Sequence, residues 1–168
     1  NITTNPSAPL GLAFIDFKTG TDSMETIKFP KITDKDFNDI ENICHVVKEG
    51  IIEGSNLSEE NLKLKLVEII EKLIVDEKVD TFLFGSKSRF NSLCLELVTE
   101  IKEKYPHIKR IYVRAEYPYI SEHYKNYLLE SYENTYYPEN ILKSGKAAYI
   151  KRNYYMIDKS DICVFYFV

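Results

Sequence analysis

Apolar residues recur along this chain with two periods, about 2 and about 3.6, and the switches between them mark its predicted elements. Leu12-Ala-Phe-Ile-Asp-Phe17 is a compact apolar run that predicts a first strand, closed by turn residues from Lys18 to Asp22. Met24 to Phe29 alternates and predicts a second strand, paired with the first as a hairpin. Phe37, Ile40, Cys44 and Val47 then keep helical spacing between a cap at Thr33 or Asp34 and a stop at Gly50. Ser58 opens a further capping pattern. Leu62, Leu66, Ile69, Ile70 and Leu73 predict one face of the helix it starts, which ends near Glu77 and is charged on its other face.

The second half is more sharply punctuated. Val79 to Phe84 predicts a buried strand, and Phe90, Leu93, Cys94, Leu97, Val98 and Ile101 predict a helix running to Tyr105, where Pro106 stops it. Ile108 to Arg114 predicts the next strand. Strand, helix and strand joined by short links make a parallel βαβ unit. A helix is expected from Ser121 to Tyr132, broken by Tyr136-Tyr137-Pro138, then a short helix after Pro138 and a longer one from Lys146 to Asp158. Asp161 to Val168 is continuously apolar, the pattern of an interior parallel strand. The expected fold class is α/β, a Rossmann-like three-layer sandwich with a mainly parallel central sheet. Residues 1–9 read as a polar arm. Gly54-Ser-Asn56 is the best internal boundary, separating a divergent N-terminal portion, residues 1–57, from a core of residues 58–168, both packed in one domain.

Composition narrows the function classes. A length of 168 residues with 44% hydrophobic content supports a single domain with a sizeable core. The net charge of −4 provides no general basic field, so a nucleic-acid partner is not expected. No apolar run reaches the about 18 residues of a membrane span, and the first ten residues lack signal-peptide features. Cys44, Cys94 and Cys163 are widely separated, without CxxC spacing, and His45, His107 and His123 show no metal-ligand spacing. Buried inert thiols, no metal centre and a cytoplasmic location are the expectations. The chain has 13 Tyr and no Trp, and the Tyr concentrate after position 104, where they can build a pocket wall with polar tips.

Ligands of open parallel sheets gather beyond the carboxyl ends of the strands. There this sequence places Gly85, Ser86, Lys87, Ser88 and Arg89, a glycine turn with hydroxyls and cations leading into a helix. Those are ingredients of an anion site, although the spacing is neither that of a P-loop nor GxGxxG. The competing view is an ordinary turn with a serine cap. Arg114, Glu116 and Tyr117 follow the next strand: the arginine can clamp phosphate, and the carboxylate can meet a ribose hydroxyl or act as acid or base. Against this stands an Arg–Glu pair that only orders a loop. Arg152 and Asn153 sit beside the apolar positions Ile150, Met156 and Ile157 and can project toward the same crevice, or lie on a solvated helix edge. Ser86 and Ser88 have no neighbouring histidine base, which argues against a serine hydrolase.

Three blocks together, Asp80 to Cys94, Tyr105 to Pro118 and Tyr149 to Tyr166, resemble the YpsA-like branch of the SLOG superfamily, over about residues 62–168. The resemblance implies a Rossmann-like fold and a nucleotide or nucleotide-derived ligand, and its motifs map onto Gly85, Ser86, Arg114, Glu116, Arg152 and Asn153. Two family features are missing from the sequence: a Gly-His-Arg motif on the first strand and a glycine-rich phosphate loop after the last. The leading expectation is therefore binding of a nucleotide, NAD or ADP-ribose-type ligand, with no required cofactor. The alternative is a protein-interaction or homo-oligomerisation module with a vestigial site. Third comes hydrolysis of an N-glycosidic bond through Glu116.

Overall fold

The computed structural model describes residues 10–17, 23–28, 59–85 and 87–167. The helix expected from residue 33 to 50, the boundary at 54–56, the cap Ser58, Cys44, His45 and Ser86 all lie outside them. Among the described residues six strands form one sheet: β1 Leu10–Phe17, β2 Ser23–Lys28, β3 Val79–Phe84, β4 Lys109–Val113, β5 Asn134–Tyr136 and β6 Ile162–Phe167, in the order β2-β6-β1-β3-β4-β5. All neighbours are parallel except β2, which runs antiparallel to β6 at one edge. Among the described residues four α-helices accompany the sheet: α1 Glu59–Val75, α2 Arg89–Lys104, α3 Glu122–Leu128 and α4 Ala148–Asp158. The class is the expected Rossmann-like α/β sandwich. No helix of the described residues is long and apolar enough to cross a membrane.

The expected hairpin of β1 with β2 does not form. β6 lies between them, with Leu12 opposite Ile162 on one side and Lys28 opposite Ile162 on the other. The sequences explain the exchange. Leu12, Ala13, Phe14, Ile162, Cys163 and Val164 are all buried, so both strands need cover on two faces and pair in the interior of the sheet. The strand Ser-Met-Glu-Thr-Ile-Lys carries charge that suits an edge.

One core lies between the sheet and the α1–α2 layer. Leu62, Leu66, Ile70, Leu73 and Ile74 of α1 meet Phe90, Leu93, Cys94, Leu97, Val98 and Ile101 of α2 over Phe14, Phe82, Phe84 and Val164. Phe14 stacks on both Phe82 and Phe84, with ring centroids 6.1 and 5.4 Å apart, and meets the edge of Phe90 at 6.2 Å. It thereby ties β1 to β3 and to α2. Strand positions of opposite parity, Ala13, Leu83 and Cys163, are buried on the other face, where α4 packs against β1. Burial of Cys163 pushes its thiol pKa far up, as expected for an inert thiol.

The carboxyl end of the sheet is held by local chemistry. Ser88 caps α2 by accepting the N–H of Asn91 at 3.2 Å, and Ser121 caps α3 by accepting the N–H of Tyr124 at 3.1 Å. The structure adds β5, which is absent from the sequence reading. The short helix expected after Pro138 is a 3-10 turn over Glu139–Ile141, and a second 3-10 turn over Gly145–Ala147 runs into α4.

Candidate functional site

The register of β3 and β4 sets Phe84 beside Tyr112, so the residues following the two strands emerge at one edge. Gly85 belongs to the strand face that looks toward α4. A Cβ there would lie 2.6 Å from both Arg152 Cδ and Met156 Sδ, so any larger residue requires these side chains to shift. Arg152, 4% exposed, donates from Nη1 to the Gly85 carbonyl and from Nε to Asn153 Oδ1 at 3.2 Å. It is therefore a buried cation at the sheet edge and not part of a solvated helix edge. Helical spacing puts Tyr149, Arg152, Asn153 and Met156 along one stripe of α4, and the Arg152 guanidinium lies 5.8 Å from the centre of the Tyr149 ring.

The loop after β4 brings a carboxylate to the same place. Glu116 lies 3.8 Å from Lys87 Nζ and accepts the Tyr149 hydroxyl at 3.1 Å. Gly85, Lys87, Tyr112, Glu116, Tyr149, Arg152 and Asn153 together line a cleft of about 240 Å³. Its electrostatics are mutual. The negative charge of Tyr112, once it ionises, and then that of the Glu116 carboxylate raise the Lys87 pKa. Burial raises the Tyr112 phenol pKa, against the pull of Lys87 and Arg152. The hydrogen bond to Glu116 raises that of Tyr149.

No family model, curated protein or solved structure matches this chain.

Of the residues singled out in the sequence, Gly85, Lys87, Glu116, Arg152 and Asn153 converge on the cleft. Ser88 is the α2 cap. Arg114 is directed elsewhere: it is 9% exposed, and its guanidinium donates to Tyr117 O at 3.1 Å, Thr135 Oγ1 at 3.0 Å and Pro118 O at 3.5 Å. It orders the loop after β4 and fastens it to β5, a task it performs on backbone carbonyls and a threonine instead of on Glu116. Tyr117 is 54% exposed and packs edge-on to Tyr124, outside the cleft wall.

Three contributors escaped sequence reasoning. Asn91 is 2% exposed on the apolar stripe of α2 and accepts the Gly85 N–H through Oδ1 at 3.5 Å. A polar residue between Phe90 and Leu93 on a core-facing stripe was the available signal. Tyr149 is marked by its spacing of three from Arg152. Tyr112 has no sequence signal short of the β3–β4 register itself.

Beside the cleft, between α2 and α3, lies a second cavity of about 290 Å³. Tyr112 and Tyr132 stack at 5.2 Å in its wall, as do Tyr124 and Tyr127 at 6.2 Å. Burial carries the Tyr132 phenol up to about 12, so that ring is uncharged at physiological pH.

Proposed function

We propose that the protein binds a nucleotide or nucleotide-derived ligand, of the mononucleotide, NAD or ADP-ribose type, at the carboxyl edge of its parallel sheet. The observation that carries this reading is the convergence of Lys87, Arg152 and Glu116, from three different elements, on one cleft beyond the ends of two neighbouring parallel strands. The carboxyl side of the strands is the side on which open α/β sheets hold their ligands. Lys87 receives a phosphate oxygen, and the buried charge of Arg152 strengthens the positive field around it. Asn153 uses its amide oxygen on Arg152, which leaves the Nδ2 side as its donor. Glu116 accepts from a ribose hydroxyl. Ser86, adjoining the cleft in sequence, is a further candidate for the phosphate.

Binding fits the cleft better than hydrolysis. Glycoside hydrolysis commonly uses a pair of carboxyl groups, and Glu116 is the one carboxylate among the described residues of the wall. Calorimetric titration with AMP, ADP, NAD and ADP-ribose tests the proposal. Loss of one charge-assisted hydrogen bond costs about 1.5–3 kcal/mol, so Lys87→Ala is expected to weaken the best ligand by roughly 10- to 150-fold. Absence of binding at millimolar concentration, or an affinity indifferent to Lys87→Ala, overturns it.

A further inference from the structure

The cavity between α2 and α3 is not needed to hold an anion, yet it adjoins the phosphate cleft. Lys87 and Tyr112 stand in the walls of both. The two spaces also differ in chemistry. The cleft carries the charged groups Glu116 and Arg152, whereas the cavity is walled by two stacked tyrosine pairs, with the hydroxyls of Ser92 and Ser131 at its border. The two spaces, of about 290 and about 240 Å³, share Lys87 and Tyr112 as wall residues, so one ligand can reach from one into the other.

We infer that the tyrosine-walled cavity is the subsite for the planar base of a 5′-nucleotide, whose phosphate lies across Lys87 in the neighbouring cleft. This rests on the binding function proposed above and extends it from an anion to a two-part ligand. Tyrosine rings are flat and polarizable and suit a heteroaromatic ring, and stacking of this kind tolerates any base. Serine hydroxyls can donate or accept, so they suit the mixed edge of a base without selecting one strongly. The junction at Lys87 fixes the polarity of the ligand, with ring toward α3 and phosphate toward α4. An aliphatic acid of similar length gains burial in the cavity but no stacking.

The test compares ribose 5-phosphate with the 5′-monophosphates of adenosine, guanosine, cytidine and uridine, titrated by calorimetry into the wild-type chain and into Ser92→Trp. Ser92 is exposed on α2, so the indole can fill the cavity from its rim without entering the core. Ser131→Trp does the same from the opposite wall and serves as a second variant if the first misfolds by circular dichroism. A stacked base contributes about 1–3 kcal/mol, so the best mononucleotide is expected to bind the wild type roughly 5- to 150-fold tighter than ribose 5-phosphate. In the tryptophan variant that advantage disappears while ribose 5-phosphate binds as before. Equal affinity of all five probes for the wild type, or a nucleotide advantage that survives both tryptophans, overturns the base subsite and leaves the phosphate cleft standing. If none of the probes binds, the cleft and the subsite fall together.

Discussion

At the scale of single residues the site depends on one missing side chain. Gly85 gives room for Arg152 and Met156, and Arg152 in turn satisfies the Gly85 carbonyl and accompanies Asn153. Gly85→Ala forces a methyl group to 2.6 Å from two packed side chains, and overpacking of this kind costs about 1–3 kcal/mol. Gly11→Ala is the matched control, since its Cβ would meet Lys159 O at an ordinary 3.5 Å. Urea denaturation should show a lower midpoint for Gly85→Ala and a much smaller change for Gly11→Ala. A Gly85→Ala midpoint equal to the wild type would mean that Arg152 moves aside freely and is not fixed by this contact. The same coupling explains why Arg152 is displaced from the surface. A lone arginine beside an apolar stripe looks solvated in sequence, and what buries it is a glycine 67 positions away.

At the scale of elements the edge of the sheet beyond β4 is fastened by ions. Arg110 on β4 holds Glu133 with Nε and Nη2, the latter at 2.8 Å, and reaches Thr99 of α2 at 3.0 Å, while Lys102 lies 3.3 Å from Glu133. Partial burial pushes the Glu133 pKa up, but the hydrogen bonds and charge of Arg110 outweigh it, and the net shift is downward from the ordinary 4.5. A carboxylate with a depressed folded-state pKa contributes stability that is complete above its ordinary value and is lost as pH falls through the folded value. Wild type should therefore exceed Glu133→Gln in stability near neutrality, with the gap closing below about pH 4.5 in acid–urea titrations. A gap independent of pH would exclude the ionised clamp. This clamp also shows where the sequence falls silent. The elements with a full period were legible: β3 is found at its expected bounds, and α1, α2, β4, α4 and β6 are shifted by a few residues at most. β5 has three residues, too few for any alternation, and it owes its place to Arg110, Glu133 and the Arg114–Thr135 hydrogen bond. The partner of β2 was likewise illegible, because short-range pattern favours the nearest strand while the choice is made by β6, far along the chain. Gly85, Lys87 and Glu116 were legible for a simpler reason, namely that they follow the ends of parallel strands, whereas Arg152 and Asn153 lie on α4 and stood out as polar residues beside its apolar positions.

At the scale of the whole molecule the α1–α2 layer, β1 and β3 share one aromatic junction. Phe14 is 1% exposed, and Phe14→Ala removes its contacts with Phe82, Phe84 and Phe90 together. Such truncations cost about 3–5 kcal/mol, a large share of the roughly 5–15 kcal/mol that holds a domain folded. Thermal unfolding of Phe14→Ala should fall well below wild type, and a near-native transition would show that β1 is only loosely joined to the core. The position of β6 between β1 and β2 bears, finally, on the order of assembly in time. The pairings of β3 with β4 and of β4 with β5 join strands that follow one another in sequence and require shorter loop closures than those of β6. Leu12 and Lys28 must both wait for Ile162. The early-made strand β1 can lie down on β3, but its other edge stays open until residues 162–167 have been synthesised, and β2 has no place in the sheet before then. An apolar strand with an open edge is the part of a folding chain most exposed to pairing with another copy. Refolding from denaturant is expected to lose yield as chain concentration rises, read as the fraction recovered in solution, because encounters between chains compete with the long-range pairing of β6 to β1.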